Sequence, residues 1–208
     1  ILSRSVAKKA IKGIYNLLRA ELYLPWEPDQ LDQVIEQTEA ALMNRKLILC
    51  RDESPKILRA PSPGEEVSAE LHQLGEIIRP TLERQFLTLA LLQHHGSGKI
   101  TRSLLEESGH LLAQRLSMLY EFNSPEFSEK SLFANVVRNL INAELLHADS
   151  EGYLHFDERI SVPAAHAQLL LAADVRHSIE RMTRIEPPAD VPPEGTITDP
   201  PTDITAVT

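Results

Sequence analysis

Between Glu65 and His95, apolar residues return every three or four positions: Val67, Leu71, Leu74, Ile78, Leu82, Phe86, Leu89 and Leu92. That spacing puts them on one face of an α-helix, and no other helical pattern in the chain runs as long. Pro80 interrupts it. A proline ring removes one backbone N–H and crowds the carbonyl four residues back, so a kink or a division near Arg79 is expected. Two segments of similar pattern flank this helix, which is read as what joins them.

The first segment opens with a helix over residues 3–24, lined on one side by Ala7, Ile11, Ile14 and Leu18. Gly13 lowers its helicity without ending it. Pro25 and Pro28 break the chain, and Leu31, Val34, Ile35, Leu42 and Met43 mark a second helix to about Arg45. Residues 47–50 read as a short strand, 52–55 as a turn and 56–58 as the return. Residues 61–64 are a Pro-Ser-Pro-Gly linker. Beyond the central helix and the loop 96–98, the second segment repeats the plan. A helix spans 101–121 with Leu105, Leu112, Leu116 and Leu119 as core candidates, and Asn123-Ser124-Pro125 stops it. Ser128 is placed to cap the next helix, whose apolar face holds Leu132, Phe133, Val136, Val137, Leu140 and Ile141. Strands at 145–147 and 153–156 flank a turn at 149–152. A last helix runs from Ala164 to about Ile179. Residues 187–208 hold six prolines, four acidic residues and no Lys or Arg, a composition that buries no core and is expected to be disordered.

Segments 3–58 and 101–156 align without gaps at an offset of 98: Leu18 meets Leu116, Leu42 meets Leu140, Asn44 meets Asn142 and Leu47 meets Leu145. In both, Asn-x-x-Leu closes the second helix. A lone hairpin is barely stable in water, so each must pack on its helices. The expected fold is mainly α with small β-hairpins: two winged-helix-like lobes, 1–60 and 96–184, joined by a linker and long central helix over 61–95, with a tail from 185 to 208. An irregular helical bundle with small hairpins is the alternative.

Charge and composition narrow the function. Hydrophobic residues are 42% and charged ones 25%, as in a globular protein, and the net charge of −9 disfavours a general nucleic-acid binder. The helices that would enter a DNA groove confirm this: residues 28–45 carry Asp29, Asp32, Glu36 and Glu39 before Arg45, and residues 128–144 sum to zero. Arg4, Lys8, Lys12 and Arg19 fall within about a quarter turn of one another on the first helix. That stripe reads as a solvated face or, through Arg4, Lys8 and Lys12, as a contact for an anionic membrane surface. No apolar run is long enough to span a bilayer. The single cysteine, Cys50, excludes an intramolecular disulfide and reads as inert packing in an apolar strand.

Catalytic and cofactor signatures are not found. The eight histidines form no HExxH, Gly98-Lys99-Ile100-Thr101 lacks the glycine and GK[ST] of a phosphate loop, and there is no GxSxG. His94-His95 sits at a helix end, where histidine meets the helix dipole favourably. His110 and His147 read as partly buried structural residues. No catalytic, cofactor-binding or metal-binding residue is assigned.

Three runs carry more information than composition does. AELYLPWEPDQLDQVI (20–35), ELHQLGEIIRPTLERQFLTLALL (70–92) and LLAQRLSMLYEFNSPEFSEKSLFANVV (111–137) resemble the C-terminal region of the bacterial membrane-associated glycerol-3-phosphate acyltransferases. The resemblance covers Ser3 to about Arg181 and is most specific in the order LAQRLS, NSPEF, K, F. It implies an enzyme that moves a fatty acyl group from acyl-CoA or acyl-carrier protein to the 1-hydroxyl of glycerol 3-phosphate in phospholipid synthesis, at the cytoplasmic face of the inner membrane. The family's signature is HxxxxD, its His acting as general base. Five residues beyond each histidine here stand Ile77, Lys99, Ile100, Arg115, Gly152, Ile160, Leu171 and Met182, never Asp. The expectation is therefore a C-terminal accessory piece of such an enzyme, inactive alone, with the catalytic domain of the same enzyme as its partner. The opening at Ile1 rather than Met agrees with a piece. The alternative from another class is a stand-alone protein–protein adaptor of tandem winged-helix lobes.

Overall fold

The computed structural model describes residues 2–51, 54–120, 125–171 and 173–184. Residues 52–53 of the expected turn at 52–55, residues 123–124 of the expected helix stop at 123–125, and the tail from 185 lie outside them. A short strand β1 (Leu2–Ser3) leads into helix α1 (Arg4–Leu22), a 3-10 turn (Pro28–Gln30) and helix α2 (Leu31–Asn44). Strands β2 (Leu49–Arg51) and β3 (Ser54–Arg59) follow, then helix α3 (Glu66–His95). The second segment is helix α4 (Arg102–Tyr120), a 3-10 turn (Pro125–Ser128), helix α5 (Lys130–Asn142) and strands β4 (His147–Ala148) and β5 (Leu154–His155). Helices α6 (Ser161–Leu170) and α7 (Ala173–Thr183) close the described chain. The architecture is mainly helical, with a three-stranded antiparallel sheet in the order β1-β3-β2 and the two-stranded β4-β5.

The repeat is legible in the backbone. Lys46 and Glu144, equivalent at the offset of 98, both adopt the left-handed conformation, at φ 60° and 56°. Leu47 N–H donates to the Leu42 carbonyl at 2.9 Å and Lys46 N–H to Met43 at 2.9 Å; Leu145 N–H donates to Leu140 at 3.0 Å and Glu144 N–H to Ile141 at 2.9 Å. These two bonds per helix are the Schellman termination, which satisfies carbonyls the helix leaves open. The same bonds explain why the strands begin later than the hydrophobic pattern suggests. Leu47 and Leu145 are committed to the caps, so pairing starts at Leu49 and His147. Each segment is also stitched ahead of its first helix. Ser3 pairs with Ile57, and Thr101 forms an isolated antiparallel bridge with Tyr153.

Three local expectations are corrected. Pro80 does not divide α3, which continues through it to His95. The Glu76 carbonyl loses its i+4 donor there, and packing holds the helix together across the gap. Ser128 does not cap α5. It belongs to the preceding 3-10 turn, the N-cap is Glu129, and the Ser128 carbonyl instead accepts from His110 Nδ1. The last helix is two helices, because Leu171 turns extended at φ −90°, ψ 147° and buries its side chain.

The core gathers around the second half of α3. From Thr81 to Leu92, every residue except the half-buried Ala90 is buried, on all sides of the helix. Helices α4, α5, α6 and α7 pack on it. α1 lies on α5 and α6, so Ile14, Leu17 and Leu18 join Leu105, Leu116, Phe133 and Leu140 in one apolar cluster. The first half of α3 is largely outside: Leu74, expected in the buried face, is exposed, and so is Ile77.

Gly13 is what lets α1 approach α6. A Cβ there would overlap the His166 ring. Alanine normally favours a helix interior over glycine by about 1 kcal/mol. At Gly13 the order reverses: Gly13→Ala lowers thermal stability by about 1–3 kcal/mol, the usual range for overpacking. Adding His166→Ala to it restores stability above that of His166→Ala alone, because the helix preference then acts unopposed. Calorimetry on the three variants checks this cycle.

Candidate functional site

α1 and α2 face each other across a gap. Arg4, at the start of α1, pairs with Glu39 toward the end of α2, and Arg19, near the end of α1, pairs with Glu27 just ahead of α2, so the helices run antiparallel. Between these, Lys8 Nζ lies 2.8 Å from Asp32 and 3.3 Å from Glu36, and Lys12 Nζ lies 2.7 Å from Asp32. The basic stripe expected to face solvent or an anionic membrane is thus turned onto the acidic positions of α2. Hydrogen bonds from Lys12 and Lys8 hold the Asp32 carboxyl below its ordinary range, and the bond to Asp32 raises Lys8.

Beneath these ion pairs lies a cavity of about 490 Å³. Its wall is almost wholly apolar: Ile11, Ile14 and Leu18 from α1, Val34 and Leu42 from α2, Leu82 from α3. Arg4 and Lys8 stand at its mouth and Trp26 is part of its lining. α2 has only Leu31 buried, while Val34, Ile35, Leu42 and Met43 are half-buried. The apolar faces predicted for the two helices are both real. They do not close on each other.

The turn of α3 that follows the cavity-lining Leu82 is buried and polar. Glu83, Arg84 and Gln85 are all buried. Arg84 Nη2 donates to Glu21 Oε1 at 2.7 Å and Gln85 Nε2 to Glu21 Oε2 at 3.1 Å, which ties α1 to α3. Arg79 Nε donates to Glu83 Oε1 at 2.9 Å. Burial pushes the Glu83 carboxyl up to about 6 against the opposing pull of Arg79. The sequence reading missed this group. Its signal was there: residues 82–92 are apolar around most of the helix, so polar residues among them must also be enclosed.

The histidines do not converge. His155 Nε2 lies 2.9 Å from Asp149 and packs over Gly98, where glycine's φ of 73° and lack of Cβ leave room for the ring. His110 is half-buried and bonded to Ser128, the structural part expected of it. His147 is exposed, contrary to expectation, because the neighbouring Leu146 turns inward. His94 and His95 meet edge to face at 5.4 Å at the end of α3. His94 also lines a more open hollow of about 400 Å³ with Ser161, Glu180 and Arg184. Among the described residues, no group of three His, Cys, Asp or Glu could hold a metal ion, and no helix is long and apolar enough to cross a membrane. Cys50 is half-buried, with Arg4 Nη2 at 3.9 Å from its sulfur.

Comparison with known proteins points to one family. Residues 2–149 match the model of the glycerol-3-phosphate acyltransferase C-terminal region. A glycerol-3-phosphate acyltransferase of Xylella fastidiosa (strain M12) is 36% identical over 173 residues, covering 82% of this chain and 20% of the relative. That of Pseudomonas putida (strain GB-1) is 34% identical, covering 87% and 22%, and that of Pseudomonas aeruginosa (strain LESB58) 35%, covering 91% and 22%. The chain therefore spans about a fifth of the length of the curated relatives it matches. No solved structure matches.

Two expectations follow from the electrostatics. Arg84→Met strands Glu21 in the core and costs about 3–5 kcal/mol in chemical denaturation, the range for breaking a buried pair from one side; Lys12→Gln, at an exposed pair, leaves the midpoint where it is. Glu83 keeps its proton longer in the folded than in the unfolded chain, so between its ordinary value of 4.5 and about 6 stability falls as pH rises. Relative to Glu83→Gln, the unsubstituted chain loses about 1–2 kcal/mol over that window and nothing further above it. Denaturation of both proteins across the window measures the difference.

Proposed function

Because the chain belongs to the glycerol-3-phosphate acyltransferase C-terminal region family, we propose that it serves as the accessory C-terminal part of such an enzyme and packs against that enzyme's catalytic part. The observation that carries this is the match itself: a family model over residues 2–149, and relatives of which the chain represents about a fifth. The absence of HxxxxD from the sequence supports reading the acyl-transfer chemistry as belonging to the remainder of the enzyme. Glycerol 3-phosphate as acceptor, acyl-CoA or acyl-carrier protein as donor, and residence at the cytoplasmic face of the inner membrane belong to the same proposal and rest on the family alone.

Two structural features support it. Leu104, Leu111 and Met118 stand exposed on α4 at seven-residue spacing, an apolar ridge suited to contact with another part of a larger enzyme. The two segments also share caps and strand stitches, which supports reading them as tandem winged-helix-like units built for contact. Membrane contact does not follow from the α1 stripe: Arg4, Lys8 and Lys12 are matched by Glu39, Asp32 and Glu36.

The purified chain, given glycerol 3-phosphate and acyl-CoA, is expected to show no acyl transfer. The Pseudomonas putida relative shortened by its matching region is expected to lose most of its activity. Turnover by this chain alone overturns the reading, and so does a shortened relative as active and stable as the intact one.

A further inference from the structure

We propose that the cavity between α1 and α2 binds one long unbranched acyl chain, its carbonyl at Arg4 and its methyl end toward Trp26. The inference goes beyond the role given above and stands on the cavity alone. Well-packed proteins leave few gaps larger than a water molecule, so about 490 Å³ lined by aliphatic side chains and partly open to solvent is a space of ligand size. Apolar walls give water no hydrogen bonds, and such a cavity takes up apolar guests.

The shape selects the guest. The apolar lining on α1 runs from Ala7 to Leu18 and on α2 from Leu31 to Leu42, and at ~1.5 Å per residue each apolar wall is roughly 16 Å long. That is about half of a bilayer's ~30 Å hydrocarbon thickness, the depth that one lipid's chain fills. Spread over this length, about 490 Å³ leaves a cross-section of roughly 30 Å², room for one chain and not two abreast. A planar ring system would not use a slot of this length.

The mouth fixes the direction. Arg4 pairs with Glu39 through Nη2, while its Nε is buried with no hydrogen-bond partner. An N–H shut away from water without an acceptor is costly. An acyl carbonyl oxygen arriving at the end of the chain supplies that acceptor and leaves the Arg4–Glu39 pair intact. The cations here are already matched, Arg4 by Glu39 and Lys8 and Lys12 by Asp32 and Glu36, so a free carboxylate gains no unmatched positive charge and an ester or thioester carbonyl suits the site better than a fatty acid anion. At the other end, Trp26 and Leu31 are part of the lining.

Trp26 is the only tryptophan in the chain, so it reports on the far end of the cavity without labelling. The probe is the methyl ester of tetradecanoic acid brominated at its terminal carbon, titrated into the whole chain below the ester's aggregation limit. Saturable quenching of Trp26 at one equivalent is expected, reversed by the unbrominated ester. Val34→Phe fills the slot, so it is expected to keep or raise the thermal midpoint and abolish quenching; Ala7→Leu does the same from α1 if the first variant does not fold. Arg4→Met, which keeps the apolar stem and loses the N–H, is expected to weaken the ester about fivefold and leave terminally brominated tetradecane unchanged. Quenching that rises without saturating, or that persists in a folded slot-filling variant, overturns the proposal. Equal loss of ester and bromoalkane binding in Arg4→Met overturns the assigned direction.

Discussion

The fold depends on burying a polar turn. The second half of α3 is enclosed on every side, and Glu83, Arg84 and Gln85 are enclosed with it. Three consecutive polar residues cannot all point away from a core when neighbours surround the helix. They must find partners there, since an unpaired buried charge costs several kcal/mol. Glu21 serves two of them from α1, and Arg79 serves the third from one turn earlier in α3. α1 is thereby held in one position along α3 as well as beside it. Packing by shape alone tolerates sliding; a carboxylate that bridges Arg84 and Gln85 does not. The turn after Pro80 is also where α3 passes from exposed to enclosed, so the helix carries its proline at the junction and its ionic ties on both sides of it.

Given that anchor, the two repeats come out differently. Their caps agree bond for bond at Leu42 and Leu140, and their strand stitches are alike. In the second copy, α4 and α5 pack directly, with Gly109 against the Phe133 ring. In the first, α1 spends its closest approach on α6, where Gly13 meets His166. Ala10, Ile14 and Leu17 are buried by that arrangement. The adjoining face, with Ala7 and Ile11, is left for α2, which reaches it mainly through long charged side chains. A helix can be apolar over more than one face, but its axis can come close to only one neighbour at a time along a given face.

The element order, the long central helix, the repeat and most core positions were legible because they follow from 3.6-residue periodicity and cap chemistry, both local. Leu82, Phe86, Leu89, Leu105, Leu112, Leu116 and Val136 are buried as their spacing implies. What was not legible depends on which faces meet. Leu74 satisfies the period and is exposed because the cover on the start of α3, where Val67 and Leu71 are half-buried and Glu70 pairs with Arg45, stops short of it. The break at Leu171 carries no Gly or Pro, so no local signal marks it. Arg4, Lys8 and Lys12 looked free because their acidic partners lie 20 and more residues away, on a helix whose own acids looked equally free. The cavity is the same case in apolar form: both walls were predicted, and the distance between them is a tertiary fact.

The two sides of α1 therefore differ in kind. Toward α3, Glu21 and Arg84 are nearly inaccessible, and in a low-dielectric setting removing either strands a charge. Toward α2, the pairs at Asp32 and Glu36 stand in water, where attraction is screened by salt and offset by the entropy of holding long side chains still. The inner side fixes the helix and the outer side merely spans a gap. A cleft bounded by one rigid wall and one held by exposed ion pairs can admit a guest between the walls without disturbing the core, because the contacts that must yield are those that contribute least to folding. Were the charges exchanged, with the solvated pairs inside and the Glu21–Arg84 tie at the rim, opening the same cleft would unfold the segment.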